Sequence, residues 1–316
     1  MPHGMQPAAN PALAALLTTA AAAFAAGTTL LAKALGAGAL GPELHPLQIS
    51  HGRFVFALLA IGLAALVLRP RLMRPDLSTH AVRSLCGWGG VTLMFAAAAH
   101  IPLADATAIS FLNPVFGMLL AIPLLGERVG RIRWAAALIA LAGAAILLRP
   151  GPESFRPAAL LALGAALAMG LELIFIKRLA GREPPHQILL VNNAIGLAIS
   201  SVAAIWIWVA PSPAQWAALA GIGVLMAGAQ ACFVNAMARA DASFVAPFFY
   251  AALIFAALYD AAVFGVRPDA VSVAGSAVIV AGAALLAWRE GRRRAPPPPV
   301  MPSAGIPSGR GPSTED

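Results

Sequence analysis

Pro102 to Leu148 reads PLADATAISFLNPVFGMLLAIPLLGERVGRIRWAAALIALAGAAILL, and the fold turns on this stretch. Two apolar runs flank one short charged turn, Gly126 to Arg133. Asn113-Pro114 stands in the middle of the first run. A proline there cannot donate an N–H and clashes with the preceding turn, so the pair suits a membrane helix lining a cavity better than a soluble helix. The pattern also returns. Ala240-Asp241-Ala242-Ser243 repeats Ala104 to Thr107 after 136 residues. Gly265-Val266-Arg267 stands where Gly126-Glu127-Arg128 stood, and Val280 to Ala283 where Leu141 to Ala144 stood, both at an offset of 139. A long internal repeat in a hydrophobic chain points to a bundle made of two related halves.

Composition supplies the solvent. The 316 residues are 60% hydrophobic and 11% charged, where a soluble protein averages about 25% charged. Mean hydropathy is +0.81. So few charges cannot cover that much apolar surface in water, so lipid must solvate most of the chain. The net charge of +8 does not indicate nucleic acid, because the basic residues lie between apolar runs rather than on one face. Cys86 and Cys232 are isolated in apolar surroundings, with no zinc-type spacing. They read as small buried hydrophobes, and no metal or cofactor is expected. The N-terminus lacks Lys or Arg before its apolar run, and that run exceeds a typical signal-peptide core.

Spans need about 20 apolar residues each. Ten candidates lie near 12–33, 46–68, 81–99, 103–125, 132–149, 157–177, 187–208, 214–236, 243–265 and 270–288. The expected organisation is a short cytoplasmic N-terminus at 1–11, a first five-helix repeat at 12–149 and a second at 157–288. A basic, Pro-rich tail at 289–316 has the composition of a disordered segment.

The basic residues test that count. With the N-terminus inside, cytoplasmic segments carry Arg69, Arg71, Arg74 and Arg83, then Arg128, Arg131 and Arg133, then Lys177, Arg178 and Arg182. Arg239 and the tail residues Arg289, Arg292, Arg293, Arg294 and Arg310 bring the inside total to 16, against 3 outside: Arg149, Arg156 and Arg267. That bias places both termini in the cytoplasm of a multi-pass protein of the cell (plasma or inner) membrane. Five spans per half is an odd number, so the second half enters the membrane upside down. The fold expected is therefore an all-α integral membrane protein of ten transmembrane helices in two inverted five-helix repeats. Such bundles hold a substrate near mid-membrane.

Polar residues inside spans are the candidates for function. Pro114 frees a backbone carbonyl in span 4, where Ser110 and Asn113 could satisfy it or face a cavity; the alternative is a packing kink. Pro247 is expected to kink span 9, ahead of Phe248, Phe249 and Tyr250. Asp105 and Asp241 occupy matching positions at the starts of spans 4 and 9 and read as helix N-caps. Glu172 and Asp260 are acidic residues inside apolar runs. Arg53 lies at a depth like that of Asp260, so the two are candidates for an intramembrane pair, against separate snorkelling. Glu172 is a candidate proton carrier or cation contact, with Thr28 or Thr29 as its counterpart in span 1. Gln230, Trp88 and Tyr259 are further cavity candidates; His51, His100, Asn192, Asn193 and Asn235 are weaker ones. Gly36 to Gly41 spells GxGxxG, but no strand precedes it, so it is not a nucleotide fingerprint. No HExxH, Walker A or GxSxG sequence occurs, so no enzyme is expected.

The stretch from Ala104 to Gly151 resembles the EamA-type transporters of the drug/metabolite transporter superfamily. The resemblance rests on Gly126-Glu127 after span 4, Gly143 in span 5 and Arg149-Pro150-Gly151 at its end. HPLQISHGRFVFALL, residues 45–59, fits too, with Arg53 where the family commonly has an Arg. The resemblance implies a central cavity lined by spans 1, 3, 4, 6, 8 and 9. Val266 departs from it, where Gly-Glu is usual, and so does Asp260. The expected function is a permease moving a small metabolite or drug-like compound by alternating access. The expected partners are that small molecule and the bilayer, with no nucleic acid, and a homodimer is compatible with the sequence. The rival is a non-transporting membrane scaffold or sensor subunit of the same fold.

Overall fold

A computed structural model describes residues 10–69, 72–126, 130–148, 156–180, 182–237, 239, 245 and 248–294. Among them there are helices and connections and no strand. The helices are α1 (Pro11–Gly36), α2 (Pro46–Leu68), α3 (Leu77–His100), α4 (Leu103–Ser110), α5 (Asn113–Leu125) and α6 (Arg131–Leu148). They continue as α7 (Ala158–Ala180), α8 (Pro185–Ala204), α9 (Pro213–Met237), α10 (Ala251–Phe264) and α11 (Ala270–Arg294). Eight stretches are long and apolar enough to cross a membrane, counting Leu103–Leu124 as one, and Ala251–Phe264 and Ala270–Leu285 are shorter apolar helices.

Local chemistry sets the helix ends. Asn10, His45 and Asp76 accept the N–H groups of Leu13, Leu47 and Thr79 at 3.0, 3.2 and 3.2 Å, capping α1, α2 and α3. Pro11 and Pro46 follow two of these caps, where the missing N–H costs nothing. Gly126 (φ +65°) and Gly265 (φ +68°) close α5 and α10 in the left-handed conformation that only glycine adopts cheaply. They are the same two glycines that mark the sequence repeat at an offset of 139.

Two expectations change here. Pro114 does not kink a continuous helix: α4 ends at Ser110, a turn at Phe111-Leu112 intervenes, and α5 starts at Asn113 with the proline in its first turn. The missing N–H is thereby placed where no helical bond was due. Asp105 is not the N-cap of α4. That position is Pro102, and Asp105 sits in the first turn with its carboxylate 3.2 Å from Arg156. Asp241 and Pro247 lie outside the described residues.

Small residues let the helices approach. α1 packs on α9 and α10, α3 on α7 and α8, α2 on α8 and α9, α5 on α7, and α6 on α11. A Cβ added at Gly143 would stand 2.7 Å from the Ile279 amide nitrogen, and one at Gly282 would stand 2.6 Å from that of Ala140. Helices α6 and α11 therefore meet backbone to backbone. The opposite faces carry exposed Leu59, Leu63 and Leu66 on α2 and Ile254 and Leu258 on α10. Such apolar stripes belong against lipid.

The bundle has two ends, tied in the same way. At the end carrying the connection after α1, Gln48 exchanges hydrogen bonds with the Val209 backbone (2.6 and 3.1 Å), and Gln215 donates to Pro42 O (2.7 Å). At the end carrying Asn10, Gln187 accepts from the Met73 N–H (2.6 Å), and Glu183 accepts from the Asp76 N–H (2.8 Å). Gln48 and Gln187 are each the third residue of their helix and are 139 residues apart.

Candidate functional site

A cavity of about 370 Å³ lies inside the bundle, with most of its lining in the half nearer the end that carries Asn10. Five helices line it. Arg53 and Phe54 come from α2, Arg83, Gly87 and Val91 from α3, and Glu172 from α7. Asn192 of α8 and Gln230, Phe233 and Val234 of α9 complete it. Most of the wall is apolar, with a few convergent polar groups, which is the usual constitution of a small-molecule site.

Each polar group is held by its neighbours. Arg83 Nη1 donates to Ile188 O at 3.0 Å, and Nη2 lies 3.4 Å from Glu172 Oε1. Glu172 fits there because α3 has a glycine opposite: a Cβ at Gly87 would come within 2.9 Å of the carboxyl group. Asn192 Oδ1 accepts from Ser84 Oγ at 3.0 Å, tying α8 to α3. The Arg53 guanidinium lies 4.5 Å from the centroid of the Phe54 ring. That ring is fixed in turn by Gly196 on α8, where an added Cβ would approach it to 2.3 Å. Arg53 Nε and Nη1, Arg83 Nε and Gln230 Oε1 are buried and make no hydrogen bond. Most buried polar groups in proteins have partners, so a cluster without them marks a site.

The structure brings Glu172 and Gln230 together with Arg53 and separates Arg53 from Asp260. This corrects the expected pair. Asp260 is bound to Lys33 of α1 (Nζ–Oδ1 2.5 Å) and accepts the Leu103 N–H of α4 at 2.7 Å. The Lys33 ammonium also lies 4.9 Å from the Phe264 ring centroid. Asp260 thus supplies from another helix the cap that Pro102 cannot give α4. Arg53 and Asp260 share a depth, but the two face different neighbours.

Other expected cavity residues do not line this cavity. The hydroxyls of Thr28, Thr29 and Ser110 donate to the carbonyls of Phe24, Ala25 and Thr107. Asn113 packs its carbonyl against α7, where a Cβ at Gly170 would come within 2.8 Å. Tyr250 meets Phe111 edge-on at 5.1 Å, Tyr259 packs on Phe255 at 6.0 Å, and Phe248 is exposed on the bundle surface. Trp88 is next in sequence to Gly87, with its Nε1 buried and unpartnered. Arg83 is a site residue that sequence reasoning misses, as are Phe54, Val91, Phe233 and Val234. By position Arg83 counts as a cytoplasmic charge, but it stands six residues inside α3 and is 5% exposed.

In the connection between α7 and α8, outside the spans, Glu183 also accepts from His80 Nε2 (2.9 Å) and Gln187 Nε2 (2.6 Å). Burial alone would raise its carboxyl, but these donors and the Asp76 N–H hold it below the usual carboxylate value. Hydrogen bonds from Ser78 and Thr79 bring Asp76 down to about 2. No group of three or more metal-ligating side chains occurs among the described residues.

The EamA-like transporter family model matches residues 12–149 and again 156–288. A riboflavin transporter of Vibrio cholerae is 31% identical over 73% of this chain and 78% of its own length. An S-adenosylmethionine uptake transporter of Rickettsia prowazekii is 25% identical over 79% of the chain and 86% of its own. A pseudopaline exporter of Pseudomonas aeruginosa is 28% identical over 72% and 82%. One crystal structure superposes with a TM-score of 0.57 at 25% identity, over 86% of this chain and 98% of that one.

Proposed function

The chain belongs to the EamA-like transporter family, and on that premise we propose that it is a permease moving a small organic metabolite across the cell membrane by alternating access. The observation that carries this is the cavity itself. Two arginines, a glutamate and two amides line a space inside an apolar bundle, where unneeded charge is costly. A scaffold would gain nothing from that expense. The small molecules named for the relatives support a cargo of that class.

In this reading ten spans form two inverted halves, at 12–149 and 157–288. Two features support it: the family model matches twice, and the packing exchanges under the shift. With α4–α5 counted as the fourth span and α10 within the ninth, the contacts of the first span with the eighth and ninth correspond to those of the sixth with the third and fourth. The end carrying Asn10 is cytoplasmic, following the 15 basic residues that remain on that side once Arg83 is placed in the cavity. Both termini then lie inside, and most of the cavity's lining is in the cytoplasmic half. In this reading transport draws on a gradient, with Glu172 as the proton-responsive group.

The test is a metabolite uptake and efflux screen in vesicles containing the protein, with and without a pH gradient. Gradient-sensitive flux of at least one compound is expected, and Glu172→Gln should abolish the gradient sensitivity. Flux of no compound in either direction would leave the scaffold reading in its place.

A further inference from the structure

We propose that the cavity binds the anionic oxygen group of an organic ion, a carboxylate or a phosphate, on the guanidinium fork of Arg53. The proposal deepens the transporter reading by naming the cargo's chemistry, and for the cargo's movement it rests on that reading. Four observations lead to it. Arg53 is 5% exposed, yet its Nε and Nη1 have no partner. A buried guanidinium without hydrogen bonds is costly, and a planar fork of donors matches a two-oxygen anion. The nearby carboxylate is already engaged: Glu172 pairs with Arg83, which is also held by Ile188 O. Two guanidinium groups against one carboxylate leave the cavity one positive charge in excess, which a single anionic group balances.

The rest of the wall describes the rest of the ligand. Phe54, Val91, Phe233 and Val234 offer apolar surface for a hydrocarbon or aromatic body. Gln230 Oε1 is a buried acceptor without a donor, so it suits an N–H or O–H on that body. The volume of about 370 Å³ is far more than a lone inorganic anion needs and lies in the range of small-molecule pockets. The cargo is accordingly an organic anion, or a zwitterion presenting its anionic end to Arg53.

The experiment measures thermal unfolding of the purified full-length protein in lipid nanodiscs with matched probes. Benzoate and phenyl phosphate carry the two anionic groups, and benzamide and phenol are their neutral counterparts. At about 10 mM, benzoate or phenyl phosphate should raise the melting temperature while benzamide and phenol do not. Whichever of the two acts more strongly tells carboxylate from phosphate. Arg53→Gln should weaken anion binding by roughly tenfold to a hundredfold, the loss of a charge-assisted hydrogen-bonded pair. Arg53→Lys, which keeps the charge without the fork, should lie between and guards against a folding defect in the first variant. Equal shifts with the neutral probes, an unchanged response in both variants, or no shift with either anion would overturn the proposal. Arg53-dependent anion binding without flux of any compound would instead sink the transporter reading and leave the site. Flux confined to neutral or cationic compounds and indifferent to Arg53→Gln would do the reverse.

Discussion

Lys33 and Asp260 are 8% and 2% exposed and hold three helices at one end of the bundle. Removing either charge alone strands the other in a buried setting, which costs about 3–5 kcal/mol, whereas replacing both with apolar residues is often neutral. Lys33→Met and Asp260→Leu should therefore each lower the melting temperature strongly, and the double variant should recover most of the loss. Additive losses in the double variant would show that the pair is not the coupling element. In the double variant the Leu103 N–H still loses its acceptor, so recovery should fall short of complete. The sequence showed that Asp260 was out of place in an apolar run. It did not show the partner, which lies 227 residues away. Depth along a span can be counted from sequence, but which way a residue faces is lost when the helix is apolar all round, as α2 is. Arg53 was matched to Asp260 on depth alone for that reason.

Helices α6 and α11 are joined where the glycines of each receive the other's backbone and the side chains of Leu147 and Ile279. Gly143→Leu should force them apart against the Ile279 backbone and cost about 1–3 kcal/mol, the usual penalty of overpacking. Thermal unfolding in detergent reads this, and Gly62→Leu, at a site with nothing within 4 Å, is the neutral comparison. Equal behaviour of the two variants would remove the close-approach argument. The glycines of both helices were visible in the sequence as matching Ala-Gly-Ala segments; α6 has the length expected, but α11 continues to Arg294, past residue 288 where the sequence composition suggests a disordered tail. The break between α4 and α5 was half visible. Asn113-Pro114 announced a disturbed helix, but proline chemistry permits both a kink and a fresh start, and only the turn at Phe111-Leu112 decides between them.

Across the whole molecule the ties at the two ends share a position but not a chemistry. Gln48, Ser212 and Gln215 fasten one end with amides, a hydroxyl and backbone. The other adds a carboxylate and an imidazole, Glu183 and His80, alongside Gln187 and Asp76. Glu183 has a folded-state value below its unfolded one. Its contribution to stability is thus present above about pH 4.3, the unfolded value, and is lost as pH falls through the folded value. The melting temperature of the wild type should drop more steeply on acidification below that point than that of Glu183→Gln. Parallel curves would dismiss Glu183 as a contributor. The internal repeat was legible in sequence, as offsets of 136 and 139. The cavity was not, because it lies where α3, α7, α8 and α9 close around Arg53, and no local pattern records that meeting.

Gly196 adds a final consequence. It touches no ligand-facing polar atom, yet the Phe54 ring rests against it, and Arg53 rests on that ring. One methyl group placed on the outer side of this wall would push the ring, and the guanidinium with it, into the cavity. On the proposed reading of the cavity, its selectivity would then be set in part by the thickness of a helix contact while every charge stays where it is.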